Sequence, residues 1–304
     1  MRILLTGKDG QLGSELQPFL APLGDLTAMG RDELDLTRDS SIRQTVQSLQ
    51  PDVIVNAAAY TGVDTAEKEI DRAIAINGTA PTILAEEAQK LGSAIIHVST
   101  DYVFDGQKNT PYLETDPTDP IGAYGQSKLA GEIGVRGNCD RHLIIRTAWV
   151  YGTGGKGNFV KTMLRLGATR DELRVVMDQV GCPTWTGDLA RAIAQLIPHL
   201  CPANGDGISG ILHYTNSGAI SWYDFAIAIF EEAAALDVPL AIQRVVPITT
   251  AEYPTPAQRP AYSVLSGCNI ADILGAPAPH WRSSLRKMLS DWQTLQAQSS
   301  SHPS

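Results

Sequence analysis

Arg2-Ile3-Leu4-Leu5-Thr6-Gly7-Lys8-Asp9-Gly10-Gln11-Leu12-Gly13 opens the chain, and its reading decides the fold. Arg2–Thr6 is an apolar run of strand length, and Gln11–Leu20 continues with apolar residues at helical spacing. Between them lie glycines at positions 7, 10 and 13. A strand that turns tightly into a helix leaves backbone N–H groups and the positive end of the helix dipole facing one point, where a pyrophosphate fits. Glycines allow both the turn and the close approach of backbone to ligand. Gly7, Gly10, Gln11, Leu12 and Gly13 are therefore candidate dinucleotide contacts, in a G-x-x-G-x-x-G spacing rather than G-x-G-x-x-G.

Outward from this loop, apolar runs at Asp25–Met29, Val53–Ala58, Ala94–Ser99 and Leu143–Ala148 alternate with helical patterns at Ser40–Leu49, Asp64–Leu91 and Ala123–Arg136. Strands this continuously apolar are covered on both faces. The expected fold is α/β: a doubly wound parallel sheet of Rossmann type over residues 1–150, with a returning segment near 185–200. A smaller α/β lobe over 151–295 is expected to take the substrate. It contains a glycine-rich loop at 152–157, a helix at Asn158–Leu166, a strand at Leu173–Met177, a helix at Asp188–Leu200, a loop at Cys201–Gly210 and a strand at Leu212–Asn216. Ser221 reads as the N-cap of a helix over Trp222–Ala235. Pro239–Pro279 reads as irregular, Trp281–Leu295 as a last helix, and 296–304 as a frayed tail.

Composition narrows the function classes. The chain has 304 residues, 43% hydrophobic and 19% charged, with a net charge of −9. Phosphate-backbone binding needs clustered Lys and Arg, so no nucleic-acid partner is expected. Four cysteines without a Cys-x-x-Cys pair predict reduced thiols, and six histidines show no metal-ligand spacing. No apolar stretch reaches membrane-spanning length, so a cytoplasmic protein without a membrane partner is expected.

The chemistry is predicted at the carboxyl ends of the strands, where open parallel sheets bind ligands. Asn56-Ala57-Ala58-Ala59 ends the third strand and Ser99-Thr100-Asp101 the fourth. Tyr124 and Lys128 open the following helix at i and i+4, on one face. A lysine ammonium beside a phenol favours phenolate and is expected to lower the Tyr124 pKa. The second strand ends in Met29-Gly30-Arg31, without the acid that commonly holds the ribose 2′-OH of NAD. Arg31 could bind a 2′-phosphate, opposed by Asp32 and Glu33. NADPH is thus favoured, with NADH admitted.

The glycine spacing and the Tyr124/Lys128 pair resemble the extended short-chain dehydrogenase/reductase superfamily. Further strings resemble its dTDP-4-dehydrorhamnose reductase family over nearly the whole chain. They are Val55-Asn56-Ala57-Ala58-Ala59-Tyr60-Thr61, Ser99-Thr100-Asp101-Tyr102-Val103-Phe104-Asp105-Gly106, Arg146-Thr147-Ala148-Trp149-Val150-Tyr151, Asp178-Gln179-Val180-Gly181-Cys182-Pro183-Thr184 and Tyr253-Pro254-Thr255-Pro256-Ala257-Gln258-Arg259-Pro260. Departures fall at Tyr262-Ser263-Val264-Leu265 and Ser266-Gly267-Cys268, in the sugar-nucleotide contacts.

The resemblance implies hydride reduction of the C4 ketone of dTDP-4-dehydro-L-rhamnose to dTDP-L-rhamnose, with Thr100, Tyr124 and Lys128 catalytic and Tyr124 the proton donor. It implies cofactor contacts at Asp35, Leu36, Ala59, Tyr60, Thr61 and Val98 beside Tyr124 and Lys128, and substrate contacts at Thr100, Asp101 and Trp149. Arg259 is a candidate for the substrate diphosphate, because guanidinium matches phosphate geometry. Some relatives bind Mg²⁺ at a dimer contact, and Glu15 occupies one matching position, so Mg²⁺ and a homodimer stay open. Two other readings share the fold. A sugar-nucleotide epimerase or dehydratase is disfavoured by Tyr102, since dehydratases carry an acid there. A non-catalytic regulatory subunit like that of methionine adenosyltransferase is disfavoured by the intact Thr/Tyr/Lys set.

Overall fold

Alternate residues of a strand face opposite sides of its sheet, and here both sides are apolar. The central strands are β1 (Arg2–Thr6), β2 (Asp25–Met29), β3 (Val53–Asn56), β4 (Ala94–Thr100) and β5 (His142–Thr147). Between them run α1 (Gln11–Leu20), α2 (Asp39–Leu49), α3 (Val63–Ala66), α4 (Ile70–Ile74), α5 (Ala80–Leu91) and α6 (Ala123–Asn138). After β5 come β6 (Val150–Tyr151), α7 (Phe159–Gly167), β7 (Glu172–Val176), β8 (Val180–Gly181), β9 (Thr184–Trp185) and α8 (Thr186–Leu200). Then follow β10 (Gly210–His213), β11 (Ile220–Ser221), α9 (Trp222–Ala234), β12 (Arg244–Ile248), α10 (Cys268–Leu274) and α11 (Trp281–Ser300). This computed structural model describes residues 1–200 and 207–300.

The main sheet has six parallel strands in the order β10-β5-β4-β3-β1-β2. The chain leaves β1 toward β2 and then returns to the other side of β1 with β3. The switch point therefore lies between β1 and β3, where a crevice opens at the strand ends. On one face Ile3, Leu5, Val55, Ile96 and Ile145 meet Leu12 and Leu16 of α1 and Leu189 and Ile193 of α8. On the other, Leu4, Ile54, Ile95 and Ile144 meet Ile42 and Val46 of α2, Leu84 of α5 and Val135 of α6. The doubly wound expectation holds. The main sheet also takes in β10, from well beyond residue 150. Trp185-Thr186 leads directly from β9 into α8, which lies against α1.

The smaller lobe is built on the parallel pair β7–β12 and on α7, α9 and α11. Val160, Leu164, Phe225, Ile229, Leu285 and Met288 form its core. Ser221 caps α9 as expected, accepting the Asp224 N–H at 3.1 Å while Asp224 accepts the Ser221 N–H at 3.0 Å.

The structure corrects four sequence expectations. The single helix over Asp64–Leu91 is instead α3, α4, a π-helical turn at Ala75–Thr79 and α5. The break has a packing cause, because a Cβ on Gly131 of α6 would lie 2.1 Å from the Asn77 carbonyl. Two backbones meet there, and the wide turn accommodates α6. The Pro239–Pro279 stretch is not wholly irregular, for it contains β12 and α10. Pro247 hides β12 in the sequence, yet β12 has a partner on one side only, where a missing N–H is tolerated. The third strand stops at Asn56, which frees Ala57 and Ala58 to turn into the crevice. The last helix runs to Ser300, past the expected fray at 296, while 301–304 and most of the Cys201–Gly210 loop lie outside the described residues.

Candidate active site

The glycine loop is a cradle that side chains would fill. Gly7 adopts the left-handed φ of +77°, and a Cβ on it would come within 2.8 Å of the Ala58 backbone. A Cβ on Gly13 would lie 1.9 Å from the Gly7 carbonyl oxygen. The Gly7 N–H donates to the Met29 carbonyl at 2.8 Å, which pins the loop to the end of β2. Gly10 is the N-cap of α1 and offers no side-chain cap, so the first amides of the helix have no partner within it. A dinucleotide pyrophosphate fits this cradle on both shape and charge. The sequence did not reveal Asn158, whose amide donates to the Gln11 side chain and to the Gly152 carbonyl, both at 2.8 Å. It ties the glycine-rich 152–157 loop to the cradle.

At the end of β2 the structure changes the balance of charge. Glu33 accepts from Lys8 and from the Gly30 N–H, and these bonds lower its pKa. Its charge is matched by Lys8 and not left to oppose Arg31, which is exposed. Asp35 turns onto its own loop, accepting from the Thr37 N–H at 3.0 Å and hydroxyl at 2.7 Å. Leu36 is buried in the core with Leu34 and Ile42.

Ala59, Tyr60 and Thr61 follow β3 along the crevice, and the buried Asn77 of the π turn holds them. Its amide accepts the Tyr60 N–H at 2.8 Å and donates to the Tyr60 carbonyl at 3.0 Å. The same amide donates to the Ser127 hydroxyl, which donates to the Tyr124 carbonyl at 2.7 Å. Asn77 thus ties the β3 loop to the helix carrying Tyr124 and Lys128. Nothing in the local pattern singles it out. Glu67 accepts the Ala123 N–H at 2.9 Å and anchors the start of α6.

Thr100, Asp101, Tyr124, Lys128 and Val98 come together at the carboxyl end of β4. The Thr100 hydroxyl donates to Asp101 at 3.0 Å and lies beside the Tyr124 phenol. Burial pushes the Asp101 carboxyl up to about 6, with Ser263 and Thr100 working against that shift. The Tyr124 ring meets Tyr102 edge to face, with centroids 5.5 Å apart.

The expected effect of Lys128 on Tyr124 does not appear. Burial pushes the phenol up to about 12, Thr100 works against the shift, and the Asp101 carboxylate adds to it. Lys128 points elsewhere. Its ammonium donates to the Val98 carbonyl at 2.6 Å and faces His97 Nε2 at 3.4 Å. Lys128 is itself buried, which lowers its pKa to about 8, with Glu132 countering.

Trp149 directly precedes β6. Its φ of +48° is strained for a bulky residue, and its indole stacks on Trp222 at 3.5 Å and 5°. A Cβ on Gly181 would lie 2.6 Å from that indole and 2.9 Å from the Ser263 hydroxyl. Arg259 is already paired, with Asp64 at 2.8 Å and the Thr255 hydroxyl at 2.5 Å. The Ala257 N–H also donates to Asp64 at 3.1 Å, so the Pro-rich segment is strapped to α3. An incoming diphosphate would have to share this guanidinium. Glu15 accepts the Thr153 hydroxyl at 2.7 Å, and no cluster of three or more metal-ligating side chains exists among the described residues. The Mg²⁺ expectation therefore has no support here.

Two buried histidines give the molecule a pH signature. Burial, with Lys128 beside His97 and Arg146 beside His213, holds His97 well below its ordinary value of 6.5 and His213 at about 3. As pH falls below 6.5 the unfolded chain protonates both rings while the folded chain does not. Stability is therefore expected to fall by about 1.4 kcal/mol per pH unit for each ring. Asp101, protonated in the folded state up to about 6, offsets part of this loss between pH 6 and 3.8. Urea unfolding at pH 7.5, 6.5 and 5.5 measures it, and a flat midpoint across that range would contradict the neutral rings.

The family model described as RmlD substrate binding domain matches residues 1–294. A dTDP-4-dehydrorhamnose reductase from Burkholderia thailandensis is 46% identical over 286 residues, covering 93% of this chain and 96% of that protein. The chain belongs to the dTDP-4-dehydrorhamnose reductase family. The Escherichia coli K12 dTDP-4-dehydrorhamnose reductase is 44% identical over 302 residues, covering 98% of this chain and all of that protein. A crystal structure of the Bacillus anthracis reductase in complex with NADP superposes with a TM-score of 0.87 at 38% identity, covering 95% of this chain and 99% of that one. No helix among the described residues is long and apolar enough to cross a membrane.

Proposed function

We propose that this chain reduces the C4 ketone of dTDP-4-dehydro-L-rhamnose to dTDP-L-rhamnose, with NADPH as reductant. The observation that carries the reading is the half-buried, neutral phenol of Tyr124 on α6, beside Thr100 at the carboxyl end of β4. Reduction of a ketone needs a donor still protonated when the oxygen becomes negative. A phenol pushed up to about 12 meets that need throughout the neutral range. The Tyr124 hydroxyl gives its proton to the C4 oxygen, and the Thr100 hydroxyl stabilises the charge developing there. Lys128 holds the nicotinamide ribose. NADPH, when bound, supplies the hydride.

Gly7, Gly10, Gln11, Leu12 and Gly13 take the pyrophosphate, and Asp35, Leu36, Ala59, Tyr60, Thr61 and Val98 line the rest of the cofactor crevice. Asp101 and Trp149 orient the sugar, and Arg259, shared with Asp64, takes the diphosphate. Arg31 reads the 2′-phosphate. Arg31→Ala is expected to raise the KM for NADPH about tenfold, as for loss of one charge-assisted contact, while the KM for NADH changes less than about twofold. Equal effects on both cofactors would remove Arg31 from that role.

The assay is NADPH consumption with dTDP-4-dehydro-L-rhamnose, followed by NMR of the product to fix the configuration at C4. The C4-epimeric 6-deoxytalose product would correct the stereochemistry. Substrate conversion with no net cofactor consumed would favour an epimerase or dehydratase instead.

A further inference from the structure

Lys128 faces a buried chain of polar groups that leads away from the substrate. Its ammonium lies 3.4 Å from His97 Nε2, the Asn56 Nδ2 lies 3.0 Å from His97 Nδ1, and the Thr6 hydroxyl donates to Asn56 Oδ1 at 2.7 Å. All four side chains are at most 2% exposed. They sit on adjacent strands β1, β3 and β4, with α6 across the crevice, so no loop motion is needed to keep them in line.

The hydrogens on this chain are not independent. An ammonium has only donors, so a charged Lys128 requires a lone pair on His97 Nε2. The ring proton must then sit on Nδ1 and face the Asn56 carbonyl oxygen, with the Asn56 NH₂ directed at Thr6. The opposite arrangement, whose amide orientation is the one in the structure, puts the Asn56 NH₂ on Nδ1 and the ring proton on Nε2, which only a neutral Lys128 can accept. Two self-consistent states follow, differing in lysine charge, histidine tautomer and amide orientation together. The other ionisable groups near this line are Tyr124 and Glu132 on α6 and Asp101 after β4. Glu132 is held by Arg146 and Ser99, at 2.7 and 2.5 Å.

We propose that His97 is a positioning residue for Lys128 whose tautomer follows the lysine charge: the Asn56 orientation in the structure belongs to the neutral-lysine state, and when Lys128 is charged the amide turns over, the ring proton sits on Nδ1 and Nε2 is offered to the ammonium. The inference rests on the reading of Lys128 as part of the reductive site. It adds a residue that touches neither substrate nor cofactor, yet shares with the Val98 carbonyl in setting where the lysine points and at what pH it stays charged.

The test combines ¹⁵N NMR of histidine in the full-length protein with two variants. Wild-type His97 is expected as the Nδ1–H tautomer at pH 7, converting to Nε2–H as Lys128 loses its proton. An Nε2–H tautomer throughout the titration would overturn the proposal. His97→Gln keeps an acceptor at the same reach and is expected to retain kcat within about threefold. His97→Leu removes it and is expected to lose up to about 100-fold in kcat, the scale of a misplaced catalytic group. Its alkaline limb should also fall to lower pH, since a buried ammonium left with the Val98 carbonyl as its one acceptor deprotonates sooner. Equal losses in both variants with unchanged pH limbs would also overturn the proposal. If His97→Leu does not fold, the NMR titration and His97→Gln decide. Failure to reduce any 4-keto sugar would strike the functional reading while leaving the tautomer titration intact.

Discussion

Tyr124→Phe is expected to lower kcat about a thousandfold, in the range for losing a general acid, while NADPH affinity stays within about threefold. The change is a clean one. The Phe ring keeps the edge-to-face contact with Tyr102 and the apolar neighbours Ala66, Ala73 and Ala123. Thr100 still donates to Asp101, so no buried hydroxyl is stranded by the loss of the phenol. The folded state should therefore melt within about 1 kcal/mol of wild type, which separates chemistry from stability. Steady-state rates with dTDP-4-dehydro-L-rhamnose and a fluorescence titration of NADPH measure the two quantities. Turnover retained within tenfold would remove Tyr124 as the proton donor.

The second large effect is expected at Gly13→Ala. Its methyl would sit 1.9 Å from the Gly7 carbonyl, a backbone atom that cannot swing aside. Gly7 is itself held by the Met29 carbonyl on one side and crowded by Ala58 on the other, so the strain must displace α1. Overpacking of this kind costs about 1–3 kcal/mol of stability. Moving the α1 amides by about 1 Å should weaken NADPH binding up to about 100-fold, since positioning errors of that size carry such penalties. Gly137→Ala is the matched control. It lies in α6 with nothing within 4 Å of the added carbon, and the helix should gain up to about 1 kcal/mol. Comparable NADPH affinities in the two variants would mean that the cradle is not the pyrophosphate site.

What the sequence made legible was whatever local pattern encodes. Five central strands, the glycine turn and the Ser221 cap depend on residues close together in the chain. So does the shared face of Tyr124 and Lys128, four residues apart on α6. The direction of the Tyr124 pKa was not legible, because it depends on burial and on Lys128 turning to Val98 and His97 across the crevice. The i, i+4 spacing puts two side chains on one face but does not say what else competes for the ammonium. Asn77 escaped notice for a related reason. It lies in a stretch that reads as uninterrupted helix, and the π turn there exists because Gly131 brings α6 onto it. Arg259 and Asp64 stand 195 positions apart, so no pattern could have linked them. The neutralising partner of Glu33 was equally hidden, since Lys8 meets it only once β1 and β2 are paired.

The place of β10 in the main sheet bears on how the molecule comes into being. Synthesis proceeds from the N-terminus, and domains that are contiguous in sequence can fold while the remainder is still being made. This one cannot finish. Until residues 210–213 have emerged, β5 is an open edge, and until α8 has emerged the Leu12/Leu16/Leu20 side of α1 lacks its cover. An uncovered parallel edge beside exposed leucines invites pairing with other chains. A nascent chain of this family therefore spends some two-thirds of its translation with its nucleotide-binding half incomplete, and it is the late-made segment that turns a sticky intermediate into a closed one.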